Sequence, residues 1–350
     1  MTRFLLAALA LLTAYPSFAT PRVYANPIID ADFPDPTVIK ARDGYFYVYA
    51  TQSAGEGATV RNVQVARSLD LVHWTMLGDA LPAKPAWASR TQDFWAPDVI
   101  EDHGRYILYY SAKPDAALTD SKQGLCLAVA VSSRPEGPFT DIGHPLQCGP
   151  GFENIDPMAF DDPATGKKLL YWGSGFGPIK IQELSSDRLS FRSGSLPKPL
   201  LYPVKSDDNG EYRRLEEGAW VARHGGYYYL FTSGDNCCGP NAHYGVMVAR
   251  SRSAHGPFRI RSTTAYLVVA GGGRWIAPGH NSLIRDGHGA DWMLYHGVDR
   301  ARQRSHPGDE INTRRVLLLD PIVWHDEWPE VAGNRPSERV QPAPVTGKIK

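Results

Sequence analysis

The sequence has no charge imbalance. Its 350 residues hold 37 Lys plus Arg against 37 Asp plus Glu, without a basic run, so neither nucleic acid nor a membrane surface is an expected partner. Beyond the N-terminus no apolar run approaches the roughly 18 residues of a membrane-spanning helix. Cysteine is scarce: Cys126, Cys148, Cys237 and Cys238 have no CxxC spacing, which argues against a zinc-thiolate framework. Helical periodicity is nearly absent after the first residues, so a helical bundle is excluded.

The one apolar run is N-terminal. Arg3 precedes Phe4 to Thr13, and Ser17-Phe18-Ala19 supplies a small-x-small cleavage site, so residues 1–19 read as a signal peptide and the mature chain is expected to be secreted or periplasmic. Export permits disulfides. Cys126–Cys148 is the expected bridge, while Cys237 and Cys238 form a vicinal disulfide or stay as thiols.

What the chain has in abundance is a repeat. Short aromatic strands, each following a glycine turn, recur as D-G-Y-F-Y-V-Y, H-G-R-Y-I-L-Y-Y, T-G-K-K-L-L-Y-W, G-G-Y-Y-Y-L-F and H-G-A-D-W-M-L-Y, with glycines at 44, 104, 166, 226 and 289, hence spacings of 60, 62, 60 and 63. A further apolar strand follows in four of them, such as V-Q-V-A-R-S and V-M-V-A-R-S. Five units of about four antiparallel strands predict an all-β, five-bladed β-propeller over residues 20–335. Residues 336–350 remain as a polar tail. A β-solenoid, the rival, has shorter repeats.

The segment before each aligned glycine becomes the innermost strand of a blade. These segments read F-P-D-P-T-V-I, W-A-P-D-V-I, N-I-D-P-M-A-F, L-E-E-G-A-W-V and P-G-H-N-S-L-I, placing Asp35, Asp98, Asp156, Glu217 and His280 at one axial mouth. Crowded carboxyls repel, so at least one should stay protonated near neutral pH. One ionised and one protonated carboxyl is the requirement for glycosidic bond hydrolysis. Sugars also need flat apolar contacts. Of Phe33, Phe94, Trp95, Trp172, Phe176, Trp220 and Trp275, the chosen ones are Phe33 and Trp95, each beside a strand-start acid, with Asp98, Trp172 and Ser174 completing the expected substrate-binding set.

Together F-P-D-P-T-V, W-A-P-D-V, N-I-D-P-M-A-F, E-E-G-A-W-V and A-P-G-H-N-S resemble glycoside hydrolase family 43, whose members are five-bladed propellers acting on arabinans and xylans. The resemblance implies an inverting hydrolase with Asp35 as general base, Asp156 as pKa modulator and Glu217 as general acid. It implies that His280 reaches an axial calcium ion, and no organic cofactor. G-D-N-C-C-G and M-L-Y-H-G-V-D look like the arabinanase and α-L-arabinofuranosidase branch, which implies action on arabinose-containing poly- or oligosaccharides; a monomer is expected. Gly297 and Val298 depart from that branch's H-A-Y-D and weaken the case for endo action. The competing readings are a β-xylosidase of the same family and a carbohydrate-binding propeller without catalysis. Glu216 reads as a structural acid, and Arg314 and Arg315 as solvated or salt-bridged.

Overall fold

A computed structural model describes residues 22–54, 59–261, 267–304 and 313–346; the expected signal peptide lies outside them. Its sheets form five blades, all antiparallel. The innermost strands are Thr37–Lys40, Phe94–Asp102, Met158–Asp161, Glu217–His224 and Trp275–Arg285. Each pairs with one of the aromatic strands anticipated from the repeat: Phe46–Ala50, Arg105–Ala112, Lys168–Trp172, Tyr227–Asn236 and Asp291–Asp299.

The aromatic strands are apolar on both faces because a blade is packed on both sides, and alternate side chains point opposite ways. In Phe46–Ala50, Tyr47 and Tyr49 join a cluster with Val99, Leu108 and Tyr110 of the second blade, while Phe46, Val48 and Ala50 join one with Leu294, Leu317 and Leu319 of the fifth. Three further clusters fill the spaces between blades two and three, three and four, and four and five. Five clusters between five blades close the ring.

The fifth blade has only three strands, ending in Arg315–Pro321. Its outer edge is completed by the N-terminal segment: Ile28 N–H donates to the Leu317 carbonyl at 2.9 Å, Leu317 N–H to that of Ile29 at 3.2 Å, and Phe33 N–H to that of Arg315 at 2.7 Å. Asn26 locks this seam. Its buried amide donates to the Leu319 carbonyl, Asp320 and Ser337, and accepts from Leu319 N–H at 2.9 Å. The polar tail is part of the same closure, because Gln341–Pro342 pairs with Val23–Tyr24 and Trp275 donates to the Ser337 carbonyl. The expected Cys126–Cys148 disulfide is present and joins residues directly opposite each other on neighbouring strands; of the two alternatives for Cys237 and Cys238, the structure has the vicinal disulfide.

Asn26→Ala strands the Leu319 amide without a partner, so urea unfolding should show a loss of about 1–3 kcal/mol. An unchanged midpoint would remove Asn26 from the closure.

Candidate active site

The inner strands enter the axial mouth through residues in the left-handed backbone region: Asp35, Ala96, Asp156, Gly218 and His280, with φ of 55°, 47°, 58°, 62° and 51°. Four of the five are not glycine, and each such residue costs roughly 1–2 kcal/mol. The compensation is local, since each of these N–H groups donates to a side chain of the preceding blade. Asp35 donates to His296 Nδ1 at 3.1 Å, Ala96 to Thr51 Oγ1 at 2.7 Å, Asp156 to Ser111 Oγ at 3.1 Å, Gly218 to Asp156 Oδ2 at 2.8 Å and His280 to Ser233 Oγ at 2.8 Å. Ser174 occupies the remaining equivalent place and donates its hydroxyl to Glu217 Oε2 at 2.9 Å. Thr51, Ser111, Ser174, Ser233 and His296 are spaced by 60, 63, 59 and 63. That repeat is legible in the sequence, one or two residues past each aromatic motif, but the sequence reading did not draw on it.

The mouth gathers Asp35, Asp156, Glu217 and His280. His280 Nδ1 lies 3.6 Å from Asp35 Oδ1 and 3.9 Å from Asp156 Oδ2. Asp35 also receives Thr51 Oγ1 at 2.6 Å and Arg315 Nη1 at 3.0 Å. Arg315 is therefore salt-bridged as expected, but to a mouth carboxylate. Tyr244 donates its hydroxyl to Glu217 Oε1 at 2.8 Å and lies parallel to the His296 ring, 5.8 Å away. Neither Tyr244 nor His296 was anticipated.

The electrostatics divide these acids. Burial pushes the Asp35 carboxyl up, but the Arg315 guanidinium, with His280 beside it, overcomes it and holds Asp35 well below the usual carboxylate range. Glu217 is pushed up to about 7 by burial, against the hydrogen bonds of Tyr244 and Ser174, which favour its ionised form. Asp156 is raised well above its ordinary value by burial and by Glu217 and Asp35. Asp156 and Glu217 titrate as a pair that keeps a proton near neutral pH. Burial also lowers His296 to about 4, so its ring is neutral; because Nδ1 accepts from Asp35 N–H, the proton sits on Nε2. One ionised carboxylate and one protonated carboxyl in a common mouth can activate a water and protonate a leaving oxygen.

The family model for glycosyl hydrolases family 43 matches residues 24–329. The chain belongs to that family. The extracellular exo-α-(1→5)-L-arabinofuranosidase ArbA of Cellvibrio japonicus is 27% identical, over 93% of this chain and 91% of its own. The extracellular endo-α-(1→5)-L-arabinanase 1 of Bacillus subtilis is 27% identical, over 84% and 86%. A β-xylosidase of the same Bacillus is 26% identical over 89% of this chain but 57% of its own length. Among solved structures, a thermostable family-43 glycoside hydrolase superposes with a TM-score of 0.74 at 27% identity, covering 93% of this chain and 100% of that one. This family-43 chain is thus a glycoside hydrolase.

Several expected site residues lie elsewhere. Phe33 is fully buried between the fifth and first blades, because its strand is the one added beside Arg315. Trp172 is fully buried too, packed on Phe191 and donating to Asn154 Oδ1 at 3.2 Å. Neither presents a face to a ligand. Asp98 is not equivalent to Asp35 and Asp156: the left-handed position of its blade is Ala96, two residues earlier. Both Asp98 oxygens are engaged, by Thr37 Oγ1 at 2.9 Å and Ala159 N–H at 2.8 Å. It ties together the inner strands of three blades, and burial raises it to about 6. Ser174 is fully buried, with its hydroxyl given to Glu217. Trp95 is half-buried at the rim. Glu216 has its own partners, Arg213 Nε at 2.6 Å and Thr232, and is structural.

The calcium implied by family resemblance was tested against the donors present. Calcium takes six to eight oxygen ligands, whereas His280 offers an imidazole, and among the described residues no group of three or more His, Cys, Asp or Glu is arranged to hold a metal ion. These side chains do not form a calcium shell by themselves.

The pH dependence follows in sign. Activity that needs protonated Glu217 should fall as pH rises through about 7. Ser174→Ala removes a donor that favours the ionised form, so this basic limb of kcat/KM should move to higher pH; an unmoved limb would show that Ser174 does not tune Glu217.

Stability should respond to the same acid. Its folded pKa lies above the unfolded value, so it favours the folded state most at low pH, and stability drains away as pH rises from about 4.5 through about 7. Glu217→Gln abolishes that loss: its Tm should exceed the parent's at pH 8, by more than at pH 4.5. Equal differences at both pH values would contradict the buried-acid assignment.

Proposed function

We propose that this protein is an exported, inverting hydrolase of α-L-arabinosyl linkages in arabinan or arabinose-containing oligosaccharides. The observation that carries the reading is the opposite protonation of two buried carboxyls in one mouth, Asp35 held ionised by Arg315 and Glu217 held protonated by burial. Glu217 donates its proton to the leaving glycosidic oxygen. Asp35 takes a proton from a water that attacks the anomeric carbon on the opposite face, so the product forms with inverted configuration. Asp156 touches the acid's own strand through Gly218 N–H and keeps the pair short of one negative charge.

Arabinosyl specificity is supported by the two arabinan-active relatives, whose alignments span most of both chains. Export is supported by the N-terminal segment, by two disulfides, and by relatives named as extracellular. The β-xylosidase relative supports a second reading, β-xylosyl hydrolysis by the same mechanism.

Linear 1,5-arabinan, an aryl α-L-arabinofuranoside and an aryl β-xyloside should be offered side by side, with products followed by chromatography and proton NMR. Arabinosyl cleavage with an inverted anomer is expected. Cleavage of the xyloside alone would move the substrate class, and a retained anomer would overturn the roles of Asp35 and Glu217. Asp35→Ala should lose at least about a hundredfold in kcat, with azide restoring turnover to the inverted glycosyl azide.

A further inference from the structure

The loop between the second and third strands of the third blade, residues 173–178, contains a turn built against its own chemistry. Gly177 N–H donates to the Ser174 carbonyl at 3.2 Å, and the two central residues, Gly175 and Phe176, both have positive φ, 70° and 61°. Such a turn favours glycine, asparagine or aspartate at both places. A phenylalanine there is strained, and Phe176 nevertheless stays 65% exposed. Among the described residues its ring meets that of Phe152, 5.8 Å between centroids at 70°.

The turn is also rigidly placed. A Cβ on Gly175 would lie 2.9 Å from Glu153 Cγ, 3.0 Å from its N and 3.1 Å from its Cα, so the loop sits directly on the segment that leads into Asp156. Ser174, which opens the turn, donates to Glu217. Phe176 is two residues further on, within about 7 Å of Ser174 along the chain. The exposed Phe176 ring and the half-buried Phe152 ring are therefore carried by the two segments that lead from Ser174 and into Asp156, and the Glu153 carboxylate, 44% exposed and 3.9 Å from Lys180 Nζ, stands beside them.

We infer that Phe152 and Phe176 form a subsite for the sugar ring on the leaving-group side of the scissile bond. This rests on the proposed function, in which Glu217 protonates the leaving oxygen and so faces that ring. The apolar face of the sugar packs on the phenyl rings, and Glu153 accepts from its hydroxyls. The strained turn persists because it holds an aromatic face where folding alone has no use for one.

The test uses Phe176→Asn, because asparagine suits the turn and the variant should fold with an equal or higher Tm. KM for 1,5-linked arabinotriose is expected to rise roughly tenfold with kcat little changed, and the loss should be larger for arabinotriose than for methyl α-L-arabinofuranoside, whose leaving group has no ring. Phe152→Ala should act in the same direction. An unchanged KM, or an equal loss on both substrates, overturns the subsite. If the parent protein turns over neither, the functional reading fails on its own. The subsite is then read by calorimetry of arabinotriose with Glu217→Gln and with Glu217→Gln/Phe176→Asn: weaker binding by the double variant supports it, and equal binding overturns it.

Discussion

Everything at the mouth depends on a ring of five backbone hydrogen bonds, one per blade, each given by a left-handed residue to a side chain of the blade before it. The N–H of Asp35 belongs to His296, that of Asp156 to Ser111, and that of His280 to Ser233. An inner strand in ordinary extended geometry would alternate its side chains between the two packed faces of the blade. The left-handed residue interrupts that alternation at the strand's entry, and in the first, third and fifth blades it is itself the polar residue of the mouth, Asp35, Asp156 or His280. Because the partner lies on the neighbouring blade, no blade can set its own site residue. The site exists only when the ring is complete.

The closing blade carries more than topology. Its last strand begins with Arg315, whose guanidinium holds Asp35 ionised, and whose backbone N–H is received by Asp32 of the N-terminal segment at 2.9 Å. The seam that joins the two ends of the chain thus also delivers the charge that separates Asp35 from Glu217. Without it, Asp35 would share the fate of Asp156 and Glu217, which burial and mutual repulsion push toward the neutral form. A fold that closes with its termini places one of its least local contacts where the chemistry is most sensitive.

Left-handed backbone recurs at the mouth. Left-handed Asp35, Ala96, Asp156 and His280 ring the mouth, and Phe176 stands on its rim. The first four recover their cost through hydrogen bonds to the neighbouring blade. Phe176 has no such recovery within the protein, which sets it apart.

The sequence by itself determined the five-fold repeat, the all-β class, and the gathering of Asp35, Asp156, Glu217 and His280, because period and strand order are local properties that a ring closure turns into one axis. It also held the Thr51 to His296 series, whose even spacing is as regular as that of the glycines. It could not tell which aromatics face a ligand: Phe33 and Trp172 sit next to site residues in the chain yet are buried between blades, while Phe176 is exposed. Nor could it tell that Asp98 is offset by two residues from the true entry position, because a bulge shifts register without marking composition. The division of charge between Asp35 and Glu217 was decided only by tertiary structure. It depends on a guanidinium that is 280 residues away in sequence and 3.0 Å away in space, and no local pattern specifies a contact of that kind.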